Sequence, residues 1–189
     1  QVSIVRNGTI VAGSQSLTGT ERRFTYDSVF NQVTSIVDEL GRQTLFEIDP
    51  NNGNVLSVRK VVGAVGGSDD EVTRYTYTTQ GLIDLTIDPL GRTSDYDYNQ
   101  LGRLTRLTTA KGTADEAIQR FEYDAAGNRT AVIDANGNRT EYQYDALNRL
   151  LKVIEADPDG SGPLLSPVTT NVYDANGNLL SVTDARNFT

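Results

Sequence analysis

The chain has 189 residues, 37% of them apolar and 22% charged, with 17 basic against 25 acidic side chains and a formal net charge of −8. No stretch approaches the roughly 18 consecutive apolar residues of a membrane helix, and the acidic balance lacks the basic footprint that nucleic acid requires. Cysteine and histidine are both absent, which removes disulfides, thiolate nucleophiles, Cys/His zinc sites and every histidine-based triad. The length suits one core or a run of stacked repeats. With no methionine and no signal peptide, the sequence is expected to be an internal piece of a longer polypeptide.

In chain order, residues 1–20 stand apart. Val2–Val5, Asn7-Gly8 and Thr9–Val11 read as a hairpin with a two-residue turn. This segment is expected to be the degenerate end of a preceding repeat.

From residue 21 the chain repeats itself. Turn-opening residues fall in groups: Asp27, Asp38, Asp49; Thr78, Asp88, Asn99; Asp124, Asp134, Asp145; Asp174, Asp184. Within a group they are 10 or 11 residues apart. One such step is a short strand plus a tight turn, so each cycle holds four strands. The spacing predicts about three and a half cycles, at 21–71, 72–117, 118–167 and 168–189, separated by longer connections near Gly63–Glu71, Lys111–Glu116 and Asp157–Pro167.

Each opener is followed three or four residues later by Gly (41, 53, 81, 91, 102, 127, 137, 177) or Asn (31, 148, 187). Asp, Asn or Thr nucleates a turn by accepting a hydrogen bond from the backbone two residues on. Gly or Asn tolerates the left-handed conformation that closes it. Before the turns, aromatics recur two apart, as in Phe24/Tyr26, Tyr75/Tyr77, Tyr96/Tyr98, Phe121/Tyr123 and Tyr142/Tyr144, which places both rings on one strand face. After the turns, apolar residues sit three apart, as in Val33/Ile36, Val55/Val58, Leu104/Leu107, Leu150/Val153 and Leu179/Val182. That offset breaks alternation and predicts a bulge beside the turn. Polar residues such as Arg120, Glu122, Glu141 and Gln143 occupy the other face, the pattern of an antiparallel sheet with a wet side. Lys111–Gln119 has the composition for one or two helical turns but reads as a loop.

These motifs resemble the YD-repeat (Rhs-repeat) family over roughly residues 21–189. The carriers are Tyr123-Asp124-Ala125-Ala126-Gly127-Asn128, Tyr144-Asp145-Ala146-Leu147-Asn148-Arg149 and Tyr173-Asp174-Ala175-Asn176-Gly177-Asn178. Tyr26-Asp27 matches less closely, and Tyr77-Thr78 and Tyr98-Asn99 keep only the tyrosine. The resemblance implies a structural motif of Tyr26, Asp27, Tyr123, Asp124, Gly127, Tyr144, Asp145, Tyr173, Asp174 and Gly177. It implies an all-β fold of antiparallel hairpin repeats in a curved, spiralling sheet, part of a shell or ribbon. In bacterial Rhs proteins and toxin-complex subunits such shells enclose a toxic domain; in teneurins they belong to an adhesion receptor.

The function expected is a non-catalytic wall or scaffold of a large extracellular or cell-surface bacterial protein, whose parent encapsulates a toxin-like cargo. The alternative is a carbohydrate-binding or adhesion module, or a self-assembling surface fibre. No catalytic residue and no organic cofactor is expected, because nearly every aspartate sits at a turn opening. Asp157, Asp159 and Ser161 place oxygens at alternate positions like the start of a calcium loop, but a closing glutamate is missing and Pro158 stiffens the segment. Expected partners are neighbouring repeats of the same polypeptide, another copy through exposed strand edges, and a glycan on exposed rings; neither nucleic acid nor membrane insertion is expected.

Overall fold

The computed structural model describes residues 2–6, 9–11, 21–160, 162, 164–186 and 188. Its chain divides into two compact units, Gln1–Ser94 and Asp95–Thr189. The first holds β1 (Val2–Arg6), β2 (Thr9–Val11), β3 (Glu21–Tyr26), β4 (Val33–Val37), β5 (Gln43–Ile48), β6 (Val55–Lys60), β7 (Glu71–Tyr77) and β8 (Ile83–Ile87). The second holds most of β9 (Thr93–Tyr98), then β10 (Leu104–Thr109), β11 (Ala117–Tyr123), β12 (Arg129–Ile133), β13 (Arg139–Tyr144), β14 (Leu150–Ile154), β15 (Val168–Tyr173) and β16 (Leu179–Thr183). The described residues contain no helix. Lys111–Glu116 is a turn-rich connection, and Ala117–Gln119 already belongs to β11.

Each unit is an antiparallel meander, as the alternating pattern requires. From β3 to β8, and again from β9 to β16, every strand pairs with its sequence neighbour. β1 is inserted between β2 and β3. The turn expected at Asn7-Gly8 lies outside the described residues, although the strands on either side of it pair antiparallel.

The three-residue offset has the expected cause. At each tyrosine-type hairpin the register slips by one: Tyr26 faces Val33 while Thr25 faces Ser35, and Tyr144 faces Leu150 while Gln143 faces Lys152. The extra residue, Thr34 or Leu151, is the bulge. Phe24 then faces Ile36, Phe46 faces Val58, Phe121 faces Val132 and Tyr142 faces Val153. Both members of each apolar pair therefore land under both aromatics, three residues matched to two. The interleaved hairpins β4–β5 and β12–β13 carry no bulge. Because turns alternate sides in a meander, each unit has one rim of bulged tyrosine hairpins. Its other rim alternates tight plain turns with the long connections.

Neither unit encloses a thick core. Ala131 is the one fully buried hydrophobic residue among the described residues, and most strand side chains are half-buried. Stability must then come from neighbour-to-neighbour contacts and from the turns.

Glycines at left-handed backbone test the turns. At Gly91 (φ 81) an added Cβ would meet open space, whereas at Gly53 (φ 79) it would lie 2.8 Å from Cγ of Phe30. Gly91→Ala should cost about 1–2 kcal/mol from backbone strain alone. Gly91→Asn should cost less, because Asn31 and Asn148 already adopt positive φ here. Gly53→Ala should cost more than Gly91→Ala, read as a larger drop in urea midpoint.

Candidate functional site

The recurrent chemical unit is the turn. In each regular example the opener's backbone N–H donates to the carbonyl four residues on, as Asp38 does to Arg42 and Asp145 to Arg149, both at 3.0 Å. One carboxylate oxygen accepts two backbone N–H groups: Leu147 and Arg149 on Asp145, Asn176 and Asn178 on Asp174. The other oxygen accepts the side chain of the fourth residue. Asn128, Asn138 and Asn178 donate Nδ2 to Asp124, Asp134 and Asp174. Arg42, Arg92 and Arg149 donate Nε to Asp38, Asp88 and Asp145 at 2.6–2.7 Å. Gly127 and Gly177 supply the positive φ that closes their turns. Asp27 opens a wider turn, with its N–H donating to Gln32 and its carboxylate accepting Val29, Phe30 and Gln32.

These bonds hold the aspartates ionised. The Asn128, Asn138 and Asn178 side chains, then the backbone amides, keep Asp124, Asp134 and Asp174 below the ordinary aspartate range. For Asp145 the Arg149 backbone N–H is the leading cause, reinforced by the Arg149 guanidinium against desolvation. An aspartate so held has no proton to give as a general acid.

A second set of contacts joins successive hairpins along the bulged rim. The hydroxyls of Tyr77, Tyr123, Tyr144 and Tyr173 donate to the carbonyls of Val55, Leu104, Arg129 and Leu150. Each acceptor is the first residue of the strand after the preceding tyrosine-type turn. Arg103 stacks on Tyr123 at 4.9 Å and donates Nη1 to the Asp124 carbonyl; Arg149 does the same with Tyr173, at 4.8 Å, and the Asp174 carbonyl. Asn128 Nδ2 also donates to Asn148 Oδ1. Tyr26 is half-buried on β3, facing Val33. Within each unit the motif residues are thus distributed along the bulged rim, one set per hairpin. The fourth turn residue and the Arg–Tyr clamps were not foreseen; the recurrence of Asn or Arg directly after the turn glycine or asparagine was the available signal.

The turn tips point outward. Val29, Leu40, Leu90, Leu101 and Leu147, each two residues past an opener, are exposed.

The calcium candidates lie in the connection between β14 and β15. Asp157 accepts the Asp159 N–H and Asp159 accepts the Leu164 N–H; Ser161 lies outside the described residues. An open groove passes Glu141, Glu155 and Asp157. Among the described residues no three carboxylates are grouped closely enough to hold a metal ion. Among the same residues no helix is long and apolar enough to cross a membrane.

The family described as RHS Repeat matches residues 85–114 and 120–161. No curated protein sequence matches the chain. Among solved structures, TcdB2-TccC3-Cdc42 is similar in fold, with a TM-score of 0.66 and 19% identity. A Photorhabdus luminescens Tc holotoxin pore carrying a TccC3 mutation gives a TM-score of 0.71 and 18% identity. These matches cover 86% and 87% of this chain and 9% of each of the larger chains.

Two predictions arise from the turn chemistry. A carboxylate whose folded pKa is depressed stabilises the fold fully above its unfolded value, about 3.9, and loses that contribution as pH falls through the folded value. Urea midpoints should therefore stay level from pH 7 to 5 and fall below about pH 4, less steeply in Asp134→Asn and Asp174→Asn variants. The second concerns Arg103, whose Nε is buried without a partner. Its turn is opened by Asn99, which offers one carbonyl oxygen, already accepting Leu101 and Arg103 N–H. Asn99→Asp supplies the missing acceptor and should stabilise by about 0.5–1.5 kcal/mol in urea denaturation.

Proposed function

The chain carries Rhs repeats, and from that premise we propose that it is a non-catalytic wall segment of a larger extracellular or surface-exposed bacterial protein. One observation carries this reading. Groups that would furnish a reactive or binding site, the turn carboxylates and the hydroxyls of Tyr77, Tyr123, Tyr144 and Tyr173, are taken up by the backbone of this same chain. A carboxylate accepting three hydrogen bonds is a fastener. A tyrosine whose hydroxyl is held by the preceding hairpin's strand is a rivet more than a platform for sugars.

The toxin assemblies of similar fold support the parent role, enclosure of a toxin-like cargo. This chain spans only 9% of those larger chains, so enclosure belongs to the full polypeptide and the repeats contribute a part of its wall.

Protease protection tests this. In the full-length polypeptide bearing these repeats, an enclosed segment should resist protease at pH 7 and become increasingly cleavable as pH falls below about 4, where the turn carboxylates begin to lose their stabilising contribution. Equal cleavage above and below that pH would count against enclosure. A saturable signal on a glycan array, lost on replacing tyrosines by alanine, would move the assignment to an adhesion module.

A further inference from the structure

We infer that Asn136 and Asn176 are sites of spontaneous covalent modification, where the side-chain amide is lost, the backbone rearranges to isoaspartate and the turn loosens. The same dipeptide at Asn52 is protected by its surroundings. The inference rests on turn geometry and does not depend on whether the wall encloses a cargo.

Asn-Gly pairs occur at Asn7, Asn52, Asn136 and Asn176, the first of them outside the described residues. In such a pair the glycine nitrogen gives up its proton to base and bonds to the asparagine Cγ. The Cγ–Nδ2 bond breaks, ammonia leaves, and a succinimide ring remains. Water then opens the ring. Cleavage at the side-chain carbonyl gives aspartate, and cleavage at the main-chain carbonyl gives isoaspartate. Glycine favours the first step because it carries no Cβ to shield its nitrogen.

The reaction needs a side chain able to turn toward the glycine and a glycine nitrogen open to base and water. Asn52 meets neither condition. Its Nδ2 donates to Asp49 Oδ2 and its Oδ1 accepts the Asn54 N–H, both at 2.9 Å. Gly53 is buried beneath Phe30, whose Cγ would lie 2.8 Å from an added Cβ. Asn136 and Asn176 meet both. Each gives its backbone N–H to its opener, Asp134 or Asp174, and neither side chain has a hydrogen bond among the described residues. Both asparagines and their glycines are exposed. An added Cβ would meet nothing within 4 Å at Gly137, and at Gly177 only Arg149 Nη1 at 4.0 Å. The glycine N–H of all three turns donates to the opener's carbonyl at 2.9–3.1 Å, so that bond does not separate them.

The product alters the turn itself. Isoaspartate routes the main chain through the former side chain and lengthens it by one carbon. The bonds that close the turn, Asp134 N–H to the Asn138 carbonyl and Asn138 N–H to the Asp134 carboxylate, both at 2.9 Å, span that segment and lose their register. Both susceptible turns, β12–β13 and β15–β16, lie in the second unit, whereas the protected Asn52 turn lies in the first.

The 189-residue chain is aged in mildly alkaline buffer, one sample folded and one in urea. Peptide mass spectrometry follows amide loss, and an isoaspartate-specific methyltransferase reports the rearranged product. In urea the three pairs should convert at similar rates. In the folded chain Asn136 and Asn176 should convert at least about tenfold faster than Asn52, the size of two hydrogen bonds. Phe30→Ala, which uncovers Gly53, and Asp49→Ala, which removes the partner of Asn52, should each raise the Asn52 rate severalfold. The urea midpoint should fall with isoaspartate content in the native chain and hold in the Asn136→Gln, Asn176→Gln double variant. Equal rates at the three sites in the folded chain, or fastest conversion at Asn52, overturn the proposal. So does full protection of Asn136 and Asn176 in the folded chain, or a midpoint indifferent to isoaspartate content.

Discussion

Everything in this structure depends on one arrangement, a carboxylate at the mouth of a turn accepting hydrogen bonds from the backbone that follows it. In Asp145 and Asp174 one oxygen takes two amides and the other takes the side chain four residues on. Charge-assisted bonds of this kind are shorter and stronger than neutral ones. Repeated at each aspartate-opened turn, they stand in for the hydrophobic interior that a thicker protein would use. Ala131 is the single fully buried apolar residue among the described residues, and the fold holds together because each hairpin is closed locally before it meets its neighbour.

The second layer of order is longer in reach. Tyr123 and Tyr173 each bind a carbonyl about twenty residues back, and Arg103 and Arg149 stack on those rings while gripping the next turn. The bulge makes this possible. It shifts the register by one, brings the aromatic pair over the apolar pair, and sets the first carbonyl of the following strand where the next tyrosine reaches it. The resulting energetics are those of a linear array, in which each unit is stabilised by its neighbours and little else. Such a chain needs no disulfide, in keeping with its lack of cysteine.

Much of this was legible in the residues. The period of the openers, the paired aromatics and the apolar offset predicted strands, turns and bulges, because each is a local rule whose cause lies within ten residues. The candidate site was legible only in part. Asp124, Asp145 and Asp174 were recognisable as turn openers, yet the reason for Asn128, Arg149 and Asn178 was not, since a side chain folding back onto its own turn leaves no periodic trace beyond its position. Arg103 shows the limit most clearly. In sequence it resembles Arg149, and only the structure reveals that Asn99 deprives it of the carboxylate that Asp145 provides. Likewise, partnership between residues such as Asn171 and the Leu150 carbonyl, 21 positions apart, follows from strand stacking and from no short-range pattern.

The turn tips carry a different consequence. The residue two past each opener donates its backbone N–H to the turn, as Leu40, Leu90, Leu101, Asn136 and Leu147 do, while Asn51 and Arg186 bond the opener through their side chains as well. The leucine side chains at these positions meet solvent and take no part in closing the turn. Along the bulged rim of each unit these positions resemble a row of tiles set about two strand widths, roughly 10 Å, apart. Evolution can rewrite that row one tile at a time, changing what the molecule shows to its surroundings while the fabric beneath it stays the same.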